Sequence, residues 1–198
     1  RKARGGEPGG LGPPAHALPV VTTTWREWVA AHPDSTVLSL DTGFTRDYSE
    51  GAAYREYFST DRLLFEVPKT DPRLKNKAEV LALLVPPADA PDDGERRALA
   101  LSVDFLKKNP VYHHSFAGHD LVAITTPDGA NRVYESGATR FTRRLSDGRI
   151  EDRDGRAWRV EEDALVLDGG DATLPRVPAR RAFWFGWYAQ FPDTDLVR

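Results

Sequence analysis

Phe183-Trp184-Phe185-Gly186-Trp187-Tyr188-Ala189-Gln190-Phe191-Pro192-Asp193-Thr194 is the densest aromatic stretch of the chain, and a related stretch, Trp25-Arg26-Glu27-Trp28-Val29-Ala30-Ala31-His32-Pro33-Asp34-Ser35, lies far upstream of it. Laid together without a gap, Trp25 meets Trp184, Trp28 meets Trp187, Ala30 meets Ala189, Pro33 meets Pro192, Asp34 meets Asp193 and Ser35 meets Thr194. Val37-Leu38 and Leu196-Val197 then follow in register. The correspondence reads as an internal repeat. Trp25, Trp28 and Val29 share one helical face at i, i+3, i+4 spacing. Thr24, with Glu27 three residues on, makes a capping box. The first helix should run over about 25–31 and end before Pro33, because the residue preceding proline avoids helical geometry. The second covers about 183–190 and again stops before a proline. Trp and Phe at helical spacing are more often core than ligand box, so the two helices are expected to be equivalent plugs on a sheet.

Working outward, short apolar runs read as strands. Val37–Leu40, Leu63–Val67, Val80–Val85 and Ala98–Val103 are such runs, the second and third each stopped by proline. Asp104 is placed to cap a helical turn over Phe105–Asn109. From Val111 the chain becomes a series of alternating segments. The pairs Asp128-Gly129, Asp147-Gly148 and Asp154-Gly155 separate several of them. Asp-Gly between alternating segments signals a hairpin, since glycine accepts the positive φ of a tight turn. Parallel pairs need crossovers of a dozen or more residues, and few gaps allow one. The expected fold is therefore α+β to mainly β: antiparallel hairpins in a meander, with two short repeat-related Trp-rich helices. Residues 1–17, dominated by Gly and Pro, read as a flexible lead-in. Residues 18–198 read as one β-rich domain, with 18–96 as the end of a first repeat plus connector and 97–198 as the second repeat.

Composition narrows function mostly by exclusion. The net charge is -3, which provides no basic footprint for nucleic acid. No apolar run approaches the roughly 18–20 residues of a membrane-spanning helix. Cysteine is absent, which removes disulfides, thiolate metal sites and cysteine nucleophiles. Methionine is absent too, which reads as a processed product, an excised domain or a fragment.

Two groups of residues are candidates for chemistry. The aromatic and acidic loop over 41–58 contains Asp41, Arg46, Asp47, Tyr48, Tyr54 and Tyr57. Carboxylates beside tyrosines can perform acid–base work or hold a sugar. The same residues equally suit turn capping and space filling. The other group is His113, His114, His119 and Asp120. Imidazoles with a carboxylate can bind Zn or Cu. On a strand, however, His113 and His114 point to opposite faces, and a surface hairpin that happens to hold histidines accounts for them as well. A calcium loop around Asp152 and Asp154 is weaker, because Ile150 would occupy the first ligand position.

Thr23-Thr24-Trp25-Arg26-Glu27-Trp28, His32-Pro33-Asp34-Ser35-Thr36-Val37-Leu38 and Asp41-Thr42-Gly43-Phe44-Thr45-Arg46-Asp47-Tyr48 resemble segments of the domain-of-unknown-function 3179 family of bacterial and archaeal proteins. Asp71-Pro72-Arg73-Leu74-Lys75-Asn76-Lys77 and the closing Phe183–Thr194 are similar to it as well. The resemblance assigns no activity. It implies an exported or lipid-anchored, extracytoplasmic parent protein whose N-terminal half carries a Cys-Pro-Leu-Cys-like segment. That segment is not in this sequence, and the half that holds it is expected to be missing. The combined expectation is an extracytoplasmic binding or structural domain without catalytic activity or cofactor, its partners unknown. The alternative is a Zn- or Cu-binding protein, or an enzyme using the 41–58 loop.

Overall fold

The continuous apolar run within Glu79–Val85, buried on both faces of its strand, sets the layering of the molecule. In the computed structural model, residues 19–89 and 95–198 are described. In chain order they form α1 (Trp25–Ala31), a 3₁₀ turn (Ala52–Tyr54), α2 (Arg55–Ser59), β1 (Glu79–Val85), β2 (Arg97–Ser102), α3 (Val103–Lys108), β3 (Val111–Phe116), β4 (His119–Thr125), β5 (Asn131–Glu135), β6 (Phe141–Arg144), β7 (Ile150–Asp152), β8 (Ala157–Val160), β9 (Ala164–Leu167), β10 (Thr173–Val177), β11 (Arg180–Phe183), α4 (Trp184–Gln190) and β12 (Asp195–Val197). The expected glycine-rich lead-in over 1–17 lies outside the described residues.

The strands make a four-stranded sheet, ordered β11-β1-β2-β12, and an eight-stranded sheet, ordered β3-β4-β5-β10-β9-β8-β7-β6. Side chains alternate across a strand. Leu81, Leu83 and Val85 of β1, with Leu99 and Leu101 of β2, therefore face Leu121, Ala123 and Val133 of the larger sheet, and Leu106 of α3 joins this core. Val80, Ala82 and Ala100 face the other way and pack on Trp184 and Trp187 of α4. The larger sheet curls into a near-barrel around Val122, Ile124, Tyr134, Phe141, Ile150, Trp158 and Leu165. Its edge strands β3 and β6 meet without a backbone ladder. The Phe141 N–H instead donates to His113 Nε2 at 2.9 Å, and the two rings stack at 6.0 Å. Gly129, Gly148 and Gly155 of the Asp-Gly turns have φ of 89°, 89° and 77°, the left-handed backbone such turns require.

The mostly β, mostly antiparallel expectation holds, with specific differences. β12 runs parallel to β2. The segments 37–40 and 63–67 form no strand, and the 41–60 stretch contains the 3₁₀ turn and α2. A strand with an unpaired ladder is marginal, and neither segment pairs with a strand among the described residues, although Phe65 packs on Phe185 at 5.7 Å.

The two Trp helices share one local construction. Their N-cap residues, Thr24 and Phe183, have φ/ψ of -78°/155° and -76°/143°, and their C-cap residues, His32 and Phe191, have -133°/70° and -128°/71°. Trp28 Nε1 donates to Ser35 Oγ at 2.8 Å, and Trp187 Nε1 donates to Thr194 Oγ1 at 2.9 Å. Trp28 lies 4.2 Å from His32, and Trp187 lies 4.3 Å from Phe191. The helices differ in what covers them. Trp184 and Trp187 are 0 % and 3 % exposed, whereas Trp25 and Trp28 are 50 % and 45 % exposed.

Candidate functional site

α4 is held by groups that converge on Trp184. Its indole N–H donates to Asp71 O at 3.0 Å, and Arg73 lies 5.3 Å above its ring while pairing with Asp71 at 2.9 Å. Asp61 accepts the N–H groups of Asn76 and Lys77 at 3.1 and 3.2 Å. The Asp71–Lys77 motif is thus a clamp on the buried helix.

α1 is anchored by its polar face. Thr126 Oγ1 donates to Glu27 Oε2 at 3.0 Å, Arg132 lies 3.9 Å from Glu27, and Arg26 lies 3.9 Å from Asp128. This docking leaves Trp25 and Trp28 outward. Val37, Leu38 and Leu40 beyond the helix are 69 %, 94 % and 69 % exposed. Clustered apolar exposure of this kind marks an interaction surface more often than a solvated one.

The loop candidates divide between two places. Thr42 Oγ1 and Tyr48 OH share a hydrogen bond of 2.7 Å. Asp47 accepts from Ser49 N–H and Oγ–H at 2.9 and 2.6 Å, and Arg55 lies 3.8 Å from it. The Ser49 bonds hold the Asp47 carboxyl below its ordinary range. The Asp41 N–H donates to Ser39 Oγ at 3.0 Å. Arg46 enters no hydrogen bond or ion pair among the described residues and is exposed. Tyr54 and Tyr57 instead line a groove of about 630 Å³ with Arg55, Glu56, Arg62 and Leu64. Lys77 sits 3.6 Å over the Tyr57 ring and also donates to Thr60 O at 2.8 Å.

The histidines are likewise dispersed. His113 and Asp120 belong to the inner face of the barrel sheet, and His114 and His119 to the outer face. Burial, reinforced by the Arg140 charge, pushes the His113 pKa down. A backbone N–H can be received only by an unprotonated Nε2, so the Phe141 contact also selects the neutral ring. His114 is lowered by burial as well, and its Nδ1 lies 3.3 Å from Tyr112 OH. His119 faces two acceptors, Glu135 Oε1 at 3.2 Å and Pro86 O at 3.0 Å. Asp120 accepts from Ser115 Oγ at 2.6 Å. Among the described residues, no group of three or more His, Asp and Glu is arranged to hold a metal ion.

The strongest carboxylate site is Asp152, 2 % exposed. Burial would raise its pKa, but hydrogen bonds from the Trp158 indole (2.9 Å), the Arg156 backbone (3.0 Å) and the Arg156 guanidinium (2.8 Å) hold it below the ordinary range. Both oxygens are engaged within a hairpin, which replaces the calcium-loop reading. Asp71, Asp147, Glu162 and Asp168 are also lowered. A general acid at neutral pH needs a raised carboxyl, and these carboxyls are all held ionised.

Sequence reasoning did not single out a groove of about 830 Å³ at the barrel end, lined by Lys107, Lys108, Thr126, Asp128, Arg143 and Arg144 among others. The Lys107-Lys108 pair at the end of α3 was its one visible signal. No helix among the described residues is long and apolar enough to cross a membrane.

The family model described as protein of unknown function (DUF3179) matches residues 12–194, and the chain belongs to that family. No curated protein and no solved structure matches it.

Proposed function

We propose that the chain is a binding or structural domain without catalytic activity that works outside the cytoplasm. The observation that carries this reading is the α1 unit. Its helix, the backbone conformation of its caps, its indole hydrogen bond and its tilted ring pair match those of the buried α4 unit, yet its tryptophans are half exposed. A preorganised, rigid apolar face is suited to association, because little side-chain entropy remains to be lost there. The lowered carboxylates agree with a structural use of the charged residues. The extracytoplasmic placement rests on family resemblance alone. A broad thermal-shift ligand screen and a panel of hydrolase assays test the reading. Association without turnover supports it, and turnover that survives purification to homogeneity overturns it. Fractionation of cells making the natural protein tests the compartment.

A second reading draws on the groove beside α2, where Tyr54 and Tyr57 stand with Arg55 and Glu56. Aromatic walls with a few charged groups suit a small polar ligand. Here Asp41, Arg46, Asp47 and Tyr48 would act from the adjoining turn. A thermal-shift hit lost in Tyr57→Ala, with folding intact, supports this reading. A separate Zn or Cu reading would draw on His113, His114, His119 and Asp120 of the β3–β4 hairpin, either as the His113–Asp120 pair of one face or the His114–His119 pair of the other. The second pair requires His119 to release Glu135 or Pro86, and metal analysis of protein purified at neutral pH decides the reading.

A further inference from the structure

The α4 unit shows what covers a Trp helix of this construction. β11 leads directly into α4. Next to β11 lie β1 and β2, and β12 closes the far edge of the sheet. Val80, Ala82 and Ala100 form the floor under Trp184 and Trp187, with Ala98, Ala182 and Leu196 packed around them. The small alanines let two large indoles approach the sheet closely.

The α1 unit has the outer parts of the same assembly. By the same alignment, Val21-Thr22-Thr23-Thr24 corresponds to β11, and Thr36-Val37-Leu38 corresponds to β12. The cap Thr24 has the extended backbone of its counterpart Phe183. Neither segment belongs to a strand among the described residues. Among the described residues, the α1 unit has no counterpart of β1 and β2, the two central strands.

Resting on the association reading above, we infer that the α1 face docks a β-hairpin of the β1–β2 type. This hairpin consists of two antiparallel strands with Val and Ala on the facing side, and the same natural polypeptide supplies it. It inserts between 21–24 and 36–38, pairs antiparallel with the first and parallel with the second, and covers Trp25 and Trp28. The source is the same polypeptide because the α4 unit receives its hairpin that way. The β1–β2 pair of a second copy of this chain is not free to dock, since both its edges and its α4 face are occupied. The partner strands also explain the exposure of Val37 and Leu38, at 69 % and 94 %. In β12 the matching residues, Leu196 and Val197, pair with Ala100 and Leu101.

Hydroxyl-radical footprinting of the natural full-length polypeptide, beside the 1–198 chain, tests the inference. In the 1–198 chain Trp25 and Trp28 react freely and Trp184 and Trp187 are protected. In the full-length polypeptide the reactivity of Trp28 falls toward that of Trp187. The expected ceiling is a factor of 15, the ratio of their exposures of 45 % and 3 %. Leu38→Arg restores the reactivity of Trp28 in the full-length polypeptide and leaves the 1–198 chain unchanged. Equal Trp28 reactivity in both polypeptides overturns the inference, as does protection in the 1–198 chain that grows with its concentration. Turnover in the assays above would remove the non-catalytic reading and leave this footprint as it is, so the two failures are distinguishable.

Discussion

Truncating the second tryptophan of each helix separates what the local motif contributes from what the sheet contributes. Trp28→Ala and Trp187→Ala remove the same local contacts, an indole–hydroxyl bond of 2.8 or 2.9 Å and a ring pair at 4.2 or 4.3 Å. They differ in covering, by 45 % less 3 %, or 42 % of the residue surface. A tryptophan buries roughly 150–250 Å², so this difference corresponds to roughly 60–105 Å². At about 25 cal/mol per Å², that is about 1.5–2.6 kcal/mol. A cavity at position 187 adds to the loss, and core Trp→Ala changes cost about 3–5 kcal/mol. Trp187→Ala is therefore expected to lose about 3–5 kcal/mol. Trp28→Ala should lose about 1–2 kcal/mol, from one exposed hydrogen bond and one ring contact. The assay is urea unfolding of the 1–198 chain followed by far-UV circular dichroism, since both variants perturb fluorescence. Unchanged m values ensure that the same transition is compared. Losses equal to within about 0.5 kcal/mol, the usual error of such comparisons, would refute the reasoning.

Other predictions follow from single sites. Asp152→Asn should cost about 3 kcal/mol, because a buried acceptor of several donors becomes neutral and partly a donor; calorimetry giving no Tm change would contradict the hairpin role. Gly118→Ala should lower Tm, because at φ 85° the new Cβ would stand 2.9 Å from Ala88 Cβ, and an unaffected Tm would show that the 117–118 turn yields easily. The His113 and His114 pKa values are lowered in the fold from the ordinary 6.5. The unfolded chain therefore takes up protons first as pH falls. Stability is full above about pH 6.5 and declines as pH falls below it. His113→Leu should flatten part of that slope in urea titrations at pH 7 and pH 5, and a slope identical to that of the parent chain would remove His113 from the account.

Much of this fold is legible in the sequence where local chemistry and tertiary structure agree. The Thr24 cap with the Trp25–Ala31 helix, the strand Glu79–Val85 and the Asp-Gly turns all form near where their residues place them. β10 was hidden by Pro175, which lacks a ladder N–H and demotes a strand. The structure resolves this by changing partners there: Thr173–Pro175 pair with β9, and Arg176 and Val177 pair with β5. Val37–Leu40 reads as a strand by composition and is none, because pairing depends on a neighbour that composition does not reveal. The candidate sites were less legible. Alternation correctly puts His113 and His114 on opposite faces. It does not reveal that His113 bridges the barrel seam to Phe141, a contact between residues 28 apart. The long aromatic loop also proved to be two places, with Tyr54 and Tyr57 in the groove and Asp47 and Tyr48 in a turn.

Amide hydrogen exchange of residues 36–38 tests the central claim most directly. In the 1–198 chain these amides should exchange close to free-peptide rates, while those of the matching strand, Asp195–Val197, are slowed by the ladder with β2. In the natural full-length polypeptide the claim predicts that 36–38 become slow as well, as the far edge of a completed sheet. Free-peptide rates at 36–38 in both polypeptides would contradict it.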